Sequence, residues 1–166
     1  IIGLGAIGLL EQQLCSLSDN EIITIDKAAS AIRKSSALGA SLSLPADHDD
    51  LTGEIKRFLG ERKIDVVIDN VCSDSTVDFA CKLLKKNGNL LLVGMPHKDL
   101  VLSKSILFTE MTIATNFLYT NADFLTGVEL FLSEKMEYKP LLSALFPLSK
   151  TEEAFEYKLN NETTKV

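Results

Sequence analysis

The chain has 166 residues, 46% of them apolar and 24% charged, and its 17 Lys and Arg against 23 Asp and Glu leave a formal net charge of −6. That length suits one domain with its own core and is short for an enzyme with a separate substrate domain. The acidic balance disfavours nucleic acid and anionic membrane as partners, and no apolar run approaches the roughly 20 residues that cross a bilayer, so a cytoplasmic protein is expected.

The chain opens without methionine on Ile1-Ile2-Gly3-Leu4-Gly5, apolar enough for a buried strand, and stops at Thr163-Thr164-Lys165-Val166 as an extended segment begins; both ends are read as truncated. After Gly8, apolar side chains at helical spacing predict a helix over 9–17, ended by Ser18-Asp19-Asn20. A β-branched strand over 22–26 leads to a helix over 28–38 that Gly39 closes. A short strand over 41–44, a helix over 50–59 ended by Gly60, and a buried strand over 65–69 follow. Next come a helix over 75–84, a turn at Asn87-Gly88 and an apolar strand over 89–93. The last third predicts a short helix over 103–108, a strand over 111–116, a helix over 123–133, an extended run over 145–148, and a final helix for which Ser149 and Glu152 have capping-box spacing. Apolar strands alternating with helices predict an α/β fold, a doubly wound parallel sheet in three α/β/α layers, as a single domain over 1–166.

Gly3-Leu4-Gly5-Ala6-Ile7-Gly8 matches G-x-G-x-x-G, and its setting sharpens a short pattern: it follows a strand and opens a helix, and Asp26 ends the next strand. Gly3 permits the tight turn, Gly5 lets the backbone approach a pyrophosphate, and Gly8 lets helix and strand pack closely. The helix N-terminus offers free N–H groups to phosphates, and a carboxylate at Asp26 can accept both ribose hydroxyl protons. That carboxylate repels a 2′-phosphate, which favours NAD over NADP, although Lys27 stands beside it. Strand ends Asn70-Val71-Cys72 and Val93-Gly94-Met95 face the same crevice, with Gly94 expected to leave room for the nicotinamide side. Cys15, Cys72 and Cys81 are read as free, buried thiols of a reducing compartment. His48 and His97 are read as surface residues, and neither they nor the cysteines show metal-ligand spacing.

In this order the motifs resemble the cofactor-binding (Rossmann) domain of the zinc-dependent medium-chain alcohol and polyol dehydrogenases. The resemblance spans the chain: the glycine motif, Asp26 with Leu38-Gly39-Ala40, Asp65 to Asp69, Gly88 to Pro96, Pro140-Leu141-Leu142, and Phe146-Pro147-Leu148 through Glu153-Ala154-Phe155. It implies that Gly5, Ala6, Ile7 and Gly8 touch the pyrophosphate, Asp26 and Lys27 the adenosine ribose, and Val71, Val93, Gly94 and Met95 the nicotinamide half. Thr115, Asn116 and Phe117 match the strand end that closes over the nicotinamide. Two departures are Ala31, where the family often has Arg or Lys, and Ala114, where it often has Gly; Arg33 or Lys27 can replace the missing cation.

The same resemblance implies that the zinc of the intact enzyme is held by a separate GroES-like catalytic domain preceding the glycine motif and absent here. This chain then binds neither zinc nor alcohol, carries no catalytic residue, and has no turnover alone. The family often dimerises through edge strands, here 111–116 and 145–148. Two other readings compete: a zinc-free quinone reductase preferring NADPH, against which Asp26 speaks, and a stand-alone dinucleotide-binding regulatory module.

Overall fold

Short aliphatic and β-branched runs build the sheet, and most are followed by a helix that a capping side chain starts or a glycine ends. The computed structural model describes residues 1–166, apart from the side chain of Ser105. β1 (Ile23–Asp26) and β2 (Leu42–Pro45) pair in parallel, Ile25 opposite Leu44. β3 (Ile64–Asp69), β4 (Leu84–Leu92) and β5 (Thr112–Thr115) form a second parallel ladder in that order. Residues 1–3 join the two ladders, because Ile2 bridges Ile25 on one side and Asp69 on the other, both in parallel. The sheet thus grows outward from residues 1–3, first toward β2 and then toward β5.

The helices are α1 (Ala6–Ser16), α2 (Ala29–Ala37), α3 (Leu51–Leu59), α4 (Asp74–Leu83), α5 (Asn121–Leu132) and α6 (Thr151–Asn160). Alternate strand residues face opposite sides of a sheet, and both sides are covered here. Ile25, Leu44, Val67 and Leu90 meet Ile55 of α3 and Val77 and Ala80 of α4 in one buried cluster. Leu4, Leu9 of α1, Ala31 of α2 and Leu141 form a second. Thr24, next to Ile25, turns toward α2, where its Oγ1 lies 2.6 Å from Ser35 Oγ and donates to Ser43 Oγ at 2.9 Å. These buried hydroxyls satisfy one another and fix α2 against β1 and β2. The doubly wound parallel fold read from the sequence is the fold observed.

The helix ends follow from local chemistry. Asp50 caps α3 by accepting from Gly53 N–H at 3.1 Å, and Gly60, at φ 61°, ends it. Capping boxes of Ser73 with Thr76 and of Thr120 with Asp123 start α4 and α5. No helix among the described residues is long and apolar enough to cross a membrane.

Several expectations need correction. The Asn87-Gly88 turn lies inside β4: Leu84 already pairs with Ile64, pairing resumes at Asn89 opposite Val66, and the residues between loop out with Asn87 at φ 60°. The segment over 103–108 is a 3-10 turn, Lys104–Phe108. The run over 145–148 forms no strand; Pro147 has no N–H to give, Leu145 and Leu148 are 80% and 91% exposed, and the pairing nearby joins Leu142 to Lys165 instead. The Ser149–Glu152 box is not made, because Ser149 sits inside the 3-10 turn Leu148–Lys150 and α6 starts with no side-chain cap. Lys150 pairs with Glu153 instead, at 2.9 Å. All three cysteines are free, but only Cys72 is buried, Cys15 and Cys81 being half-buried. His97 is exposed, whereas His48 is half-buried and accepts from Asp50 N–H at 3.1 Å.

Leu90 is fully buried at the centre of the larger cluster. Leu90→Ala is expected to lower unfolding free energy by about 2–5 kcal/mol, measured by urea titration; a loss well under 1 kcal/mol would contradict the packing described.

Candidate functional site: the crevice at the carboxyl ends of the strands

Backbone contacts stitch the carboxyl ends of the strands side by side. Gly3 N–H donates to Ile25 O at 2.9 Å, and Asn70 N–H to Ile2 O at 2.9 Å. Val93 and Gly94 N–H both reach Asp69 O, at 2.9 and 3.1 Å, and Asn116 N–H reaches Leu92 O at 3.1 Å. The glycine motif, Asp26, Val71, Val93, Gly94, Met95, Thr115, Asn116 and Phe117 therefore share one edge of the sheet. A crevice there, where the direction of sheet growth reverses, is the usual ligand position of open α/β folds.

The three glycines have different tasks. Gly3 adopts φ 87°, a left-handed conformation that side chains disfavour. A Cβ at Gly8 would stand 2.0 Å from Gly3 O, so only glycine lets α1 lie this close to the turn. Nothing lies within 4 Å of a Cβ built at Gly5, which leaves open space over the backbone at the start of α1. Gly5 is the N-cap of α1, no side chain caps it, and the first turn holds no acid. An anion at this helix end would meet unsatisfied N–H groups and the positive end of the dipole. Ile7 is exposed beside it and Ala6 half-buried.

Asp26 is held rather than free. Its Oδ2 accepts from Leu4 N–H at 2.5 Å and its Oδ1 from Ala28 N–H at 2.7 Å. Each carboxylate oxygen has a second lone-pair direction, so the group can still accept from a neighbouring diol. Lys27 and Arg33 are exposed nearby in sequence, and no ion pair among the described residues engages either. Ala31, one of the two departures noted, is buried against α1, so a long cation is replaced here by core.

At the other end, Gly94 has a role that differs from the expected one. A Cβ there would meet Asn70 O at 2.5 Å and Val71 C at 3.0 Å, so the glycine lets β4 close on the neighbouring strand end rather than making room for a ligand. Met95 and Phe117 are 72% and 75% exposed, and Val71 is exposed with them. Cys72 is buried at φ 50°, its thiol donating to Asp69 O at 3.2 Å, and burial pushes the thiol pKa up. It packs as an unreactive thiol.

Three acids at this edge were not picked out from the sequence. Asp69 is fully buried; Oδ1 accepts from Val71 and Cys72 N–H at 2.9 and 3.0 Å, and Oδ2 has no partner among the described residues. An acid closing a buried strand was its available signal, the one that singled out Asp26. Glu11, a turn beyond Gly8, accepts from Asn70 Nδ2 at 2.6 Å. Asp74 binds Lys98 Nζ at 2.6 Å, and this pairing holds its carboxyl below the usual range. The largest cavity among the described residues, about 580 Å³, lies elsewhere, at the amino ends of β1 and β3 between Ile23, Ile55, Ile64 and Val66. No group of three or more His, Cys, Asp or Glu among the described residues is placed to hold a metal ion.

Comparison with known proteins agrees with this architecture. Residues 6–133 match the model of the family described as zinc-binding dehydrogenase. D-xylulose reductase of Saccharomyces cerevisiae is 27% identical over 175 residues, covering 99% of this chain and 49% of its own length. Sorbitol dehydrogenase of Rattus norvegicus is 27% identical over 161 residues, covering 94% of this chain and 44% of its own. An Escherichia coli CFT073 structure described as a short chain alcohol dehydrogenase complexed with NADH superposes with a TM-score of 0.86 at 18% identity, over 99% of this chain and 49% of that one. The chain spans about half the length of the curated relatives it matches.

Burial raises the pKa of Glu11 above its ordinary value, the Asn70 hydrogen bond offsetting part of the effect. A carboxyl whose folded pKa is raised favours the folded state below its unfolded pKa and loses that contribution as pH rises through the folded value. Glu11→Gln is therefore expected to flatten the fall in stability on going from acid toward neutral pH and to raise the melting temperature at pH 7; an unchanged pH profile would contradict it.

Proposed function

The chain belongs to the zinc-binding dehydrogenase family, and on that premise we propose that it is the NAD-binding part of an alcohol or polyol dehydrogenase, which holds the nicotinamide for hydride transfer from an alcohol. The observation that carries this is the pairing of the open glycine turn with Asp26, whose carboxylate is locked to Leu4 N–H at the foot of that turn. NAD supplies the hydride acceptor at its nicotinamide ring; the chain supplies position. Gly3, Gly5, Ala6, Ile7 and Gly8 form the pyrophosphate cradle, with the α1 N-terminus supplying N–H donors. Asp26 accepts the ribose hydroxyl protons and Lys27 flanks them. Val71, Val93, Gly94 and Met95 line the nicotinamide half, and Thr115, Asn116 and Phe117 close its far side. The exposed apolar groups among them exclude water from the face where hydride arrives.

NAD is favoured over NADP because a carboxylate fixed by two backbone N–H groups cannot swing aside for a 2′-phosphate. Zinc and the alcohol pocket fall, in this reading, to the part of the relatives that this chain does not cover, a catalytic domain that would be the chain's main partner. The polyol relatives make a polyol or simple alcohol the substrate class. Three unpaired thiols suit the reducing cytoplasm.

A homodimer is the further partner we assign, through the free edge of β5. That strand pairs only with β4, and Thr112, Ala114 and Thr115 on it are exposed. Sedimentation velocity should show a concentration-dependent dimer, and Ala114→Lys, an edge charge of the kind that blocks strand pairing, should leave a monomer. An unchanged dimer would place the contact elsewhere.

Calorimetric titration tests the cofactor. NADH should bind about tenfold more tightly than NADPH, the worth of one charge-assisted hydrogen bond, without alcohol-dependent turnover by the chain alone. Asp26→Ser should shrink that preference. Tighter NADPH binding would move the quinone-reductase reading ahead, and no binding of either to the folded chain would remove the dinucleotide reading.

A further inference from the structure

Residues 94–101 form an arch over the nicotinamide end of the crevice. One foot is Gly94, packed against Asn70 and Val71 with its N–H on Asp69 O. The other foot is Leu100, which packs against the larger core cluster. Between them Met95, Pro96, His97, Lys98 and Asp99 are exposed. A single carboxylate ties the far side down: Asp74 Oδ2 takes Lys98 Nζ at 2.6 Å, and Asp74 Oδ1 takes Val101 N–H at 3.2 Å.

An exposed ion pair alone restrains little. Here the same carboxylate also accepts a backbone N–H three residues further on, so it constrains the path of the arch and not only one flexible side chain. Its own position is fixed, because Asp74 is the first residue of α4, which the Ser73–Thr76 box starts and buried Val77 and Ala80 anchor.

We propose that Asp74 is a positioning residue for the cofactor: by pinning the arch through Lys98 and Val101 it holds Met95 over the nicotinamide half of the dinucleotide and leaves the adenosine half untouched. This rests on the reading of the crevice as a dinucleotide site. The two halves are anchored independently, since Asp26 and the glycine turn are held by residues 4, 8 and 28 and make no printed contact with the arch.

The test separates the halves by titrating the chain with NADH and with ADP-ribose, which lacks the nicotinamide. Asp74→Asn and Lys98→Met should each weaken NADH about three- to tenfold and ADP-ribose less than about twofold, with the bound-NADH fluorescence reporting a looser ring, and Lys98→Arg should restore binding. Lys98 is exposed, so its variants carry the test even where the Asp74 variant disturbs the start of α4. Equal weakening of both ligands would make Asp74 merely structural and overturn the proposal, as would no change in either. A parent chain that binds neither ligand would overturn the dinucleotide reading itself, and the arch assignment with it.

Discussion

Residues 1–3 make five backbone hydrogen bonds to their two neighbouring strands: Ile1 to Ile23 O, Ile25 to Ile1 O, Gly3 to Ile25 O, Ile2 to Ile68 O, and Asn70 to Ile2 O. At roughly 0.5–1.5 kcal/mol net for each bond, this seam contributes on the order of 5 kcal/mol, comparable with the whole stability of many small domains. The seam also decides where a ligand can go. With β1 and β2 on one side of it and β3 to β5 on the other, the connections leaving the strand ends diverge, and the gap between them lies over the glycine turn. Gly8 against Gly3 O then fixes how steeply α1 leaves that gap.

The two sides of the crevice differ in construction. The adenosine side rests on buried, mutually satisfied groups: Asp26 on Leu4 and Ala28, and Thr24, Ser35 and Ser43 on one another beneath it. Little there can move without breaking hydrogen bonds in a low-dielectric interior. The nicotinamide side is made of strand ends and an arch with exposed side chains, held at a few points. A dinucleotide would thus be gripped by a rigid adenosine site and steered by an adjustable nicotinamide site.

The rigid side was largely legible in the sequence and the adjustable side was not, for physical reasons. Gly3, Gly8 and Asp26 announce themselves because steric demands and a short spacing tie each to its neighbours along the chain. The alternation of strands and helices is equally local, since β-branched runs and capping residues act within a few positions. Gly94 was found but misread, because its need for a missing side chain comes from Asn70, which sequence distance does not reveal. Asp74 with Lys98 is a pair whose meeting depends on the path of a whole loop. The strand expected over 145–148 failed because apolarity alone does not supply a partner, and Lys165 pairs with Leu142 instead. The Ser149–Glu152 spacing failed because the chain tightens into a 3-10 turn one residue too early.

No residue of α5 is buried, and Phe124, Leu125, Phe131 and Leu132 are each more than half exposed, close in sequence to the open edge strand. So much apolar surface makes colloidal behaviour a matter of charge. At neutral pH the net charge of −6 keeps molecules apart. Near the sequence pI of 4.9 that repulsion vanishes while the apolar faces remain, so acidic buffers and high salt both push the folded chain toward precipitation.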